Sequence, residues 1–386
     1  MYLTDNKNKR NAILVELCWN SSSKKQAWDR HFNDESLEEL TGLAKTAGYD
    51  VIKKISIRSN KVNPRSFLGK GKIDEFKNLV EQCQADWVVF NEDLTPSQNR
   101  NIENSLKCNV IDRCALIIEI FAKHARTREA KTQVELARLN YMLPRLTGQW
   151  SHLSRQRGGI GLREVGEKQL EIDRRLIQKK IFKLKKELES IDKERKIQRK
   201  NRSNLFKAAL VGYTNAGKST LMNSLTGSIL LVENKLFATL DSTVRTLKTA
   251  GRPKILIADT VGLIDKLPHS LVASFKSTLD EIRYANLIIK VVDITHQSFD
   301  KHISTTQKVL QELGVCDIPS FWVFNKIDLL REEEILANLK SRHPEGIFVS
   351  GKNSSGINLL KEKIKSSMAP ISQYLPAQSC VKIRTD

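Results

Sequence analysis

GYTNAGKST, residues 212 to 220, follows the apolar run KAALV and leads into the helix-forming STLMNSL; this strand, loop and helix decide how the chain is read. Gly212 and Gly217 let the backbone wrap a phosphate chain with its N–H groups, and the helix that follows turns the positive end of its peptide dipoles toward the same place. Tyr213, Thr214, Asn215 and Ala216 complete the loop, and Lys218, Ser219 and Thr220 open the helix. In such a P-loop the lysine, here Lys218, reaches the β- and γ-phosphates, and the hydroxyl of Ser219 is a hard oxygen ligand for Mg²⁺. The expected fold class is α/β, with a P-loop domain over residues 205–370.

Three segments downstream refine the chemistry. KILIADTVG (254–262) ends an apolar strand in Asp259, which can hold the magnesium through a bound water; Thr260 and Val261 lead to Gly262, whose amide can meet the γ-phosphate. FWVFNKID ends another strand in Asn325, Lys326, Ile327 and Asp328. A carboxylate there pairs with N1–H and the 2-amino group of guanine. Adenine lacks that donor pair, so Asp328 makes GTP the expected substrate, with the stem of Lys326 along the base. GIFVSGK brings Ser350, Gly351 and Lys352, whose backbone can reach the guanine carbonyl oxygen.

Between the P-loop and DTVG lies KLFATLDSTVR. Its residues Phe237, Ala238, Thr239, Leu240 and Asp241 are expected to close over the γ-phosphate, with Thr239 as second protein ligand of Mg²⁺ and Thr243 as the fallback. Lys218, Thr239 and Gly262 form the expected catalytic group. Leu263 stands where many small GTPases carry the glutamine that orients the attacking water, and leucine cannot do that. Hydrolysis by the chain alone is therefore expected to be slow, the water-positioning group coming from a partner or from elsewhere in the chain.

Upstream, residues 1–125 alternate short apolar runs (ILVEL, VIKKISI, WVVF, NVID) with helix-period segments, the rhythm of a small domain with a mainly parallel sheet. From 126 to 204 the strands stop. Leu170, Ile177, Leu184 and Ile191 recur every seven residues with Ile181 and Leu188 between them, which predicts a long helix with a coiled-coil-like seam. Its partner in an antiparallel hairpin is expected in TREAKTQVELARLNYMLPRL, with apolar Val134, Ala137, Tyr141 and Leu136, Leu139, Leu143. Residues 371–386 form a tail.

The chain has 386 residues and a formal charge of +20, and residues 122–202 alone hold 23 Lys and Arg against 10 Asp and Glu. The overall excess suggests an anionic partner such as RNA or a membrane surface, while the local charge run by itself reads first as a solvated helix face; the loop within it shifts the balance. Inside this segment Arg155, Arg157 and Arg163 alternate with Gly158, Gly159 and Gly161. Two readings fit: an RNA-contacting tip where guanidinium and amide groups approach phosphates, or a flexible linker. FLGKGKIDEF (67–76) likewise reads as a phosphate contact or as a simple turn and helix start. The longest apolar runs, such as LIIKVV at 287–292, fall short of the about eighteen residues that span a bilayer. Six cysteines without a CxxC pair suggest neither zinc nor a disulfide framework, and a cytoplasmic protein is expected, bound to a membrane at most peripherally.

ARTREAKTQVELARLNYMLPRLTG (125–148) and SRQRGGIGLREVGEKQLEIDRR (154–175), together with the guanine-nucleotide motifs, resemble the HflX family of GTPases over nearly the whole chain. The resemblance implies an N-terminal α/β domain, a helical hairpin and a Ras-like G domain. It further implies docking on the large ribosomal subunit and its rRNA rather than on DNA, and splitting of stalled or idle ribosomes. The chain would act as a monomer. It departs from the family in reading REVGEK where RGPGET is common and DSTVR where DPTTR is common. An RNA-binding GTPase in large-subunit assembly is the alternative.

Overall fold

The computed structural model describes residues 10–19, 26–59, 62–148, 162–200, 205–228, 235–247, 254–265, 281–330 and 333–368. They divide into two units, one holding the described residues up to Arg195 together with Lys235–Leu240, the other holding the rest.

In the first unit, β1 (Arg10–Trp19), β2 (Tyr49–Ser59), β3 (Trp87–Phe90) and β4 (Asn109–Asp112) form a sheet of order β2-β1-β3-β4. Every neighbouring pair is parallel, as the alternation with helices α1 (Gln26–Ala47), α2 (Lys70–Cys83), α3 (Pro96–Leu106) and α4 (Arg113–His124) requires. Local chemistry sets the helix starts. Thr95 and Gln98 make a reciprocal capping box ahead of α3 with Pro96 in its first turn, and Asp112 accepts from the Ala115 amide to cap α4. In FLGKGKIDEF, Phe67 and Leu68 are buried and Lys70 begins α2. One face of the sheet buries Ile13, Val15, Val88 and Phe90 against Phe76, Val80 and Ile102. At the carboxyl ends of the strands the buried charges are paired: Arg113 donates to Asn91 at 2.8 Å and to Glu39 at 2.8 Å, and Arg145 meets Asp112 at 3.0 Å.

The hairpin joins α5 (Arg128–Met142) to α6 (Leu162–Lys200). Arg128 pairs with Glu187 and Glu135 with Lys180, so the helices run antiparallel. Their seam is Leu136 and Leu139 with Ile181, flanked by Leu143, Ile177, Leu184 and Leu188. Of the apolar residues of α5, Leu136, Leu139 and Leu143 meet the long helix, while Val134 and Ala137 are buried outside that seam.

The second unit has a six-stranded sheet, order β10-β9-β8-β5-β7-β6, built from β5 (Phe206–Gly212), β6 (Thr243–Leu247), β7 (Ile255–Asp259), β8 (Leu287–Asp293), β9 (Ser320–Asn325) and β10 (Ile347–Phe348). Only β6 is antiparallel, on β7. The central strands read as near-continuous apolar runs because helices cover both faces. Those helices are α7 (Lys218–Thr226), α8 (Phe299–Glu312), α9 (Glu333–Arg342) and α10 (Ile357–Ser366). Strands β5, β7, β8 and β9 all end at one edge, the usual place for a ligand in an open α/β sheet.

Candidate nucleotide-binding site

The P-loop leaves β5 at Gly212 and enters α7 at Lys218. Gly217 takes φ 82°, a left-handed conformation that glycine adopts without penalty. Lys218 is buried, and its Nζ donates to the carbonyls of Gly212 at 3.0 Å and Tyr213 at 2.8 Å. Burial lowers its pKa to about 8, partly offset by Asp259.

Asp259 ends β7 with no exposed surface. Its Oδ2 accepts from Ser219 Oγ at 2.6 Å, and its Oδ1 is buried without a hydrogen-bond partner. Burial raises its pKa, while Lys218, Ser219 and the Thr260 amide pull the other way. A buried carboxylate oxygen left unsatisfied next to a serine hydroxyl is a donor set of hard oxygens, which suits Mg²⁺. Thr260 Oγ1 donates to Leu210 O at 2.7 Å and so ties β7 to β5 just before Gly262.

Asn325 braces the loops: its Nδ2 donates to Ala216 O at 2.9 Å, and its Oδ1 accepts from the Gly351 amide at 3.0 Å. Lys326, at φ 69°, holds Asp293 at 2.6 Å. Asp328 accepts from Ser350 Oγ at 2.6 Å, and Ser350 Oγ in turn accepts from the Asn353 amide at 3.1 Å. Beyond the backbone contact its position suggests, the fully buried Ser350 hydroxyl orients the carboxylate of Asp328. Nothing in the linear order signals that pairing, because it arises where β10 lies beside β9.

The structure brings Gly212 to Thr220, Asp259 to Gly262, Asn325 to Asp328 and Ser350 to Lys352 into the second unit, and Asp241 belongs there too. It places Phe237, Ala238, Thr239 and Leu240 in the first unit. The Phe237 ring is buried edge-to-face on Phe121 of α4 with centroids 4.7 Å apart, Leu240 is buried, and Leu236 lies over Gly42. The side chain of Phe237 thus serves as core for the first unit. Thr243, the fallback ligand, lies in β6 with its hydroxyl toward Met222 Sδ at 3.8 Å. Arg155, Arg157, Gly158, Gly159 and Gly161 lie outside the described residues, as does the tail 371–386; Arg163 stands in the first turn of α6. Among the described residues no helix is long and apolar enough to cross a membrane.

Three family models match consecutive stretches of the chain: "GTP-binding GTPase N-terminal" over 34–122, "GTP-binding GTPase Middle Region" over 124–202 and "50S ribosome-binding GTPase" over 207–326. GTPase HflX of Flavobacterium psychrophilum is 44% identical over 358 residues, covering 87% of this chain and 86% of that one. GTPase HflX of Caldanaerobacter subterraneus subsp. tengcongensis is 46% identical over 364 residues, covering 94% and 81%. Among solved structures, the complex of SsGBP with GDP is 28% identical with a TM-score of 0.48, covering 94% of this chain and 99% of that one. With relatives this similar along most of their own length, and with a P-loop GTPase unit behind a matching N-terminal and middle region, the chain belongs to the HflX family of GTPases.

Proposed function

We propose that this GTPase is a nucleotide-switched ribosome factor: with GTP bound it docks on the large subunit and separates stalled or idle ribosomes, and hydrolysis releases it. The observation that carries the reading is that one chain holds both a guanine-nucleotide unit and an antiparallel, strongly basic hairpin, the stretch 124–202 that matches the "GTP-binding GTPase Middle Region" model. A binding change favours the docked form only through contacts made in one nucleotide state, so binding energy separates the subunits and hydrolysis resets the protein.

In this reading Gly212 to Thr220 cradle the phosphates, Asp328 selects guanine with Asn325, Lys326 and Ile327 around it, and Ser350 to Lys352 back the base. Gly262 serves the γ-phosphate, with Asp259, Thr260 and Val261 leading to it. Ser219 and Thr239, with Asp259 through water, would hold Mg²⁺, which supplies charge neutralisation at the β- and γ-oxygens. Thr239 reaches this role from the segment Phe237 to Asp241. Leu263 leaves hydrolysis slow until the ribosome completes the site. Arg155, Arg157 and Arg163, with the glycines among them, meet rRNA. The protein works in the cytoplasm as a monomer.

Sucrose-gradient sedimentation of ribosomes with the protein and a non-hydrolysable GTP analogue tests it: 70S particles should give way to subunits. Intact ribosomes at saturating protein refute splitting, and co-sedimentation with large-subunit precursors alone would favour the assembly role instead. Replacing Arg155 and Arg157 together should weaken ribosome binding and flatten its salt dependence while sparing GTP affinity.

A further inference from the structure

GTP hydrolysis needs the segment after DTVG to lie correctly on the P-loop. The Leu263 amide donates to Gly212 O at 3.0 Å and the Thr214 amide donates to Leu263 O at 2.7 Å, so Tyr213 and Leu263 face each other in a short parallel bridge. The Tyr213 side chain adds a third link two residues on: its hydroxyl accepts from the Asp265 amide at 2.8 Å. The phenol ring cannot swing away, because it stacks on the His302 imidazole of α8 with centroids 3.8 Å apart and planes 13° apart, both residues being buried. Burial, with His296 beside it, lowers the His302 pKa to about 4, so the stacked ring is neutral near pH 7. Lys301, the preceding residue of α8, holds the Asp265 carboxylate at 3.0 Å.

This arrangement encloses Gly262. A Cβ there would sit 2.8 Å from the Thr214 Cα, so only glycine fits between the clamp and the P-loop backbone. The Gly262 amide makes no hydrogen bond among the described residues, which leaves it able to donate to a γ-phosphate. Nothing in the sequence beyond the P-loop motif marks Tyr213, and nothing marks His302.

We propose that Tyr213 is a positioning residue for GTP hydrolysis: braced on His302, its hydroxyl holds the Asp265 amide and thereby fixes the Gly262 amide where a γ-phosphate meets the P-loop. It touches neither the reacting atoms nor the base. It supplies backbone order to a segment whose first side chain, Leu263, can order no water. This role rests on the GTPase activity and stands whether or not the ribosome is the partner.

The test is Tyr213→Phe in the full chain, which keeps the ring and removes only the hydroxyl. The readouts are single-turnover and steady-state GTP hydrolysis and the affinities for GDP and for a non-hydrolysable GTP analogue. A single hydrogen bond predicts a fall in kcat of about three- to tenfold and a similar loss for the analogue, with GDP affinity unchanged, since only the γ-phosphate needs Gly262. His302→Leu, which keeps the buried volume but removes the stacked ring, should lower kcat in the same direction. The double variant should be less impaired than the product of the two single effects. Wild-type kcat and a wild-type ratio of analogue to GDP affinity in Tyr213→Phe would overturn the proposal. So would equal losses of GDP and analogue affinity at unchanged kcat, the mark of a P-loop that is merely destabilised.

Discussion

Replacing Phe237 with alanine should destabilise the first unit, although the residue stands within a segment that reads as part of the nucleotide site. The ring is 2% exposed and meets Phe121 edge-to-face at 4.7 Å, so the truncation removes a fully buried aromatic side chain and one aromatic pair. Such a truncation costs about 3–5 kcal/mol, of which the pair geometry accounts for about 0.5–1.5 kcal/mol. For a unit of this size, each kcal/mol moves the midpoint by about 2–4 °C, so the first thermal transition should fall by on the order of 10 °C. Phe237→Leu keeps most of the volume and should lose only about 1.5 kcal/mol or less. Calorimetry of the nucleotide-free full chain reads both. A cycle with Phe121→Leu should show coupling of at least about 0.5 kcal/mol, because the two rings are in direct contact. A melting curve for Phe237→Ala within a degree of wild type, or strict additivity with Phe121→Leu, would refute the placement of this ring in the core.

Nucleotide affinity should decline as pH rises above about 8, where the free protein's Lys218 loses its proton. Bound phosphates favour the ammonium, so binding takes up a proton there and affinity falls by up to about tenfold per pH unit, as titration calorimetry in two buffers would show; a flat profile contradicts it. The sign for the nucleotide-free protein is opposite: the lowered pKa in the folded state makes Lys218's contribution to stability grow as pH climbs from about 8 toward the usual lysine value, and denaturant titrations at fixed pH check it. Ser350→Ala removes the donor that orients Asp328 and should narrow the preference for guanine over other purine nucleotides by about tenfold, as expected for a hydrogen bond to a charged group; competition binding with GDP and inosine diphosphate measures it.

Much of the candidate site is legible in the chain because its chemistry is local. GYTNAGKST needs only its own glycines, lysine and serine to announce a phosphate loop, and KILIADTVG and FWVFNKID each place a carboxylate just past an apolar strand. The heptad of α6 likewise carries its own geometry, since side chains seven residues apart share a helix face. Ser350 was legible only as a backbone contact, since the neighbour it serves, Asp328, lies on another strand's end.

What the amino-acid order determined by itself is the alternation of strands and helices in both units, the mainly parallel N-terminal sheet, the antiparallel hairpin and the identity of the phosphate and guanine motifs; the antiparallel strand β6 was not among them. These follow from periodicity and from short runs whose backbone conformations are set by their own residues. Only the tertiary structure decided that Phe237 is core for the first unit, that Ser350 aims Asp328, and that Tyr213 reaches past Leu263 to the Asp265 amide with His302 behind it. Each of these joins residues far apart in the chain. A contact of that kind is selected by the packing of whole elements, so no local pattern records it.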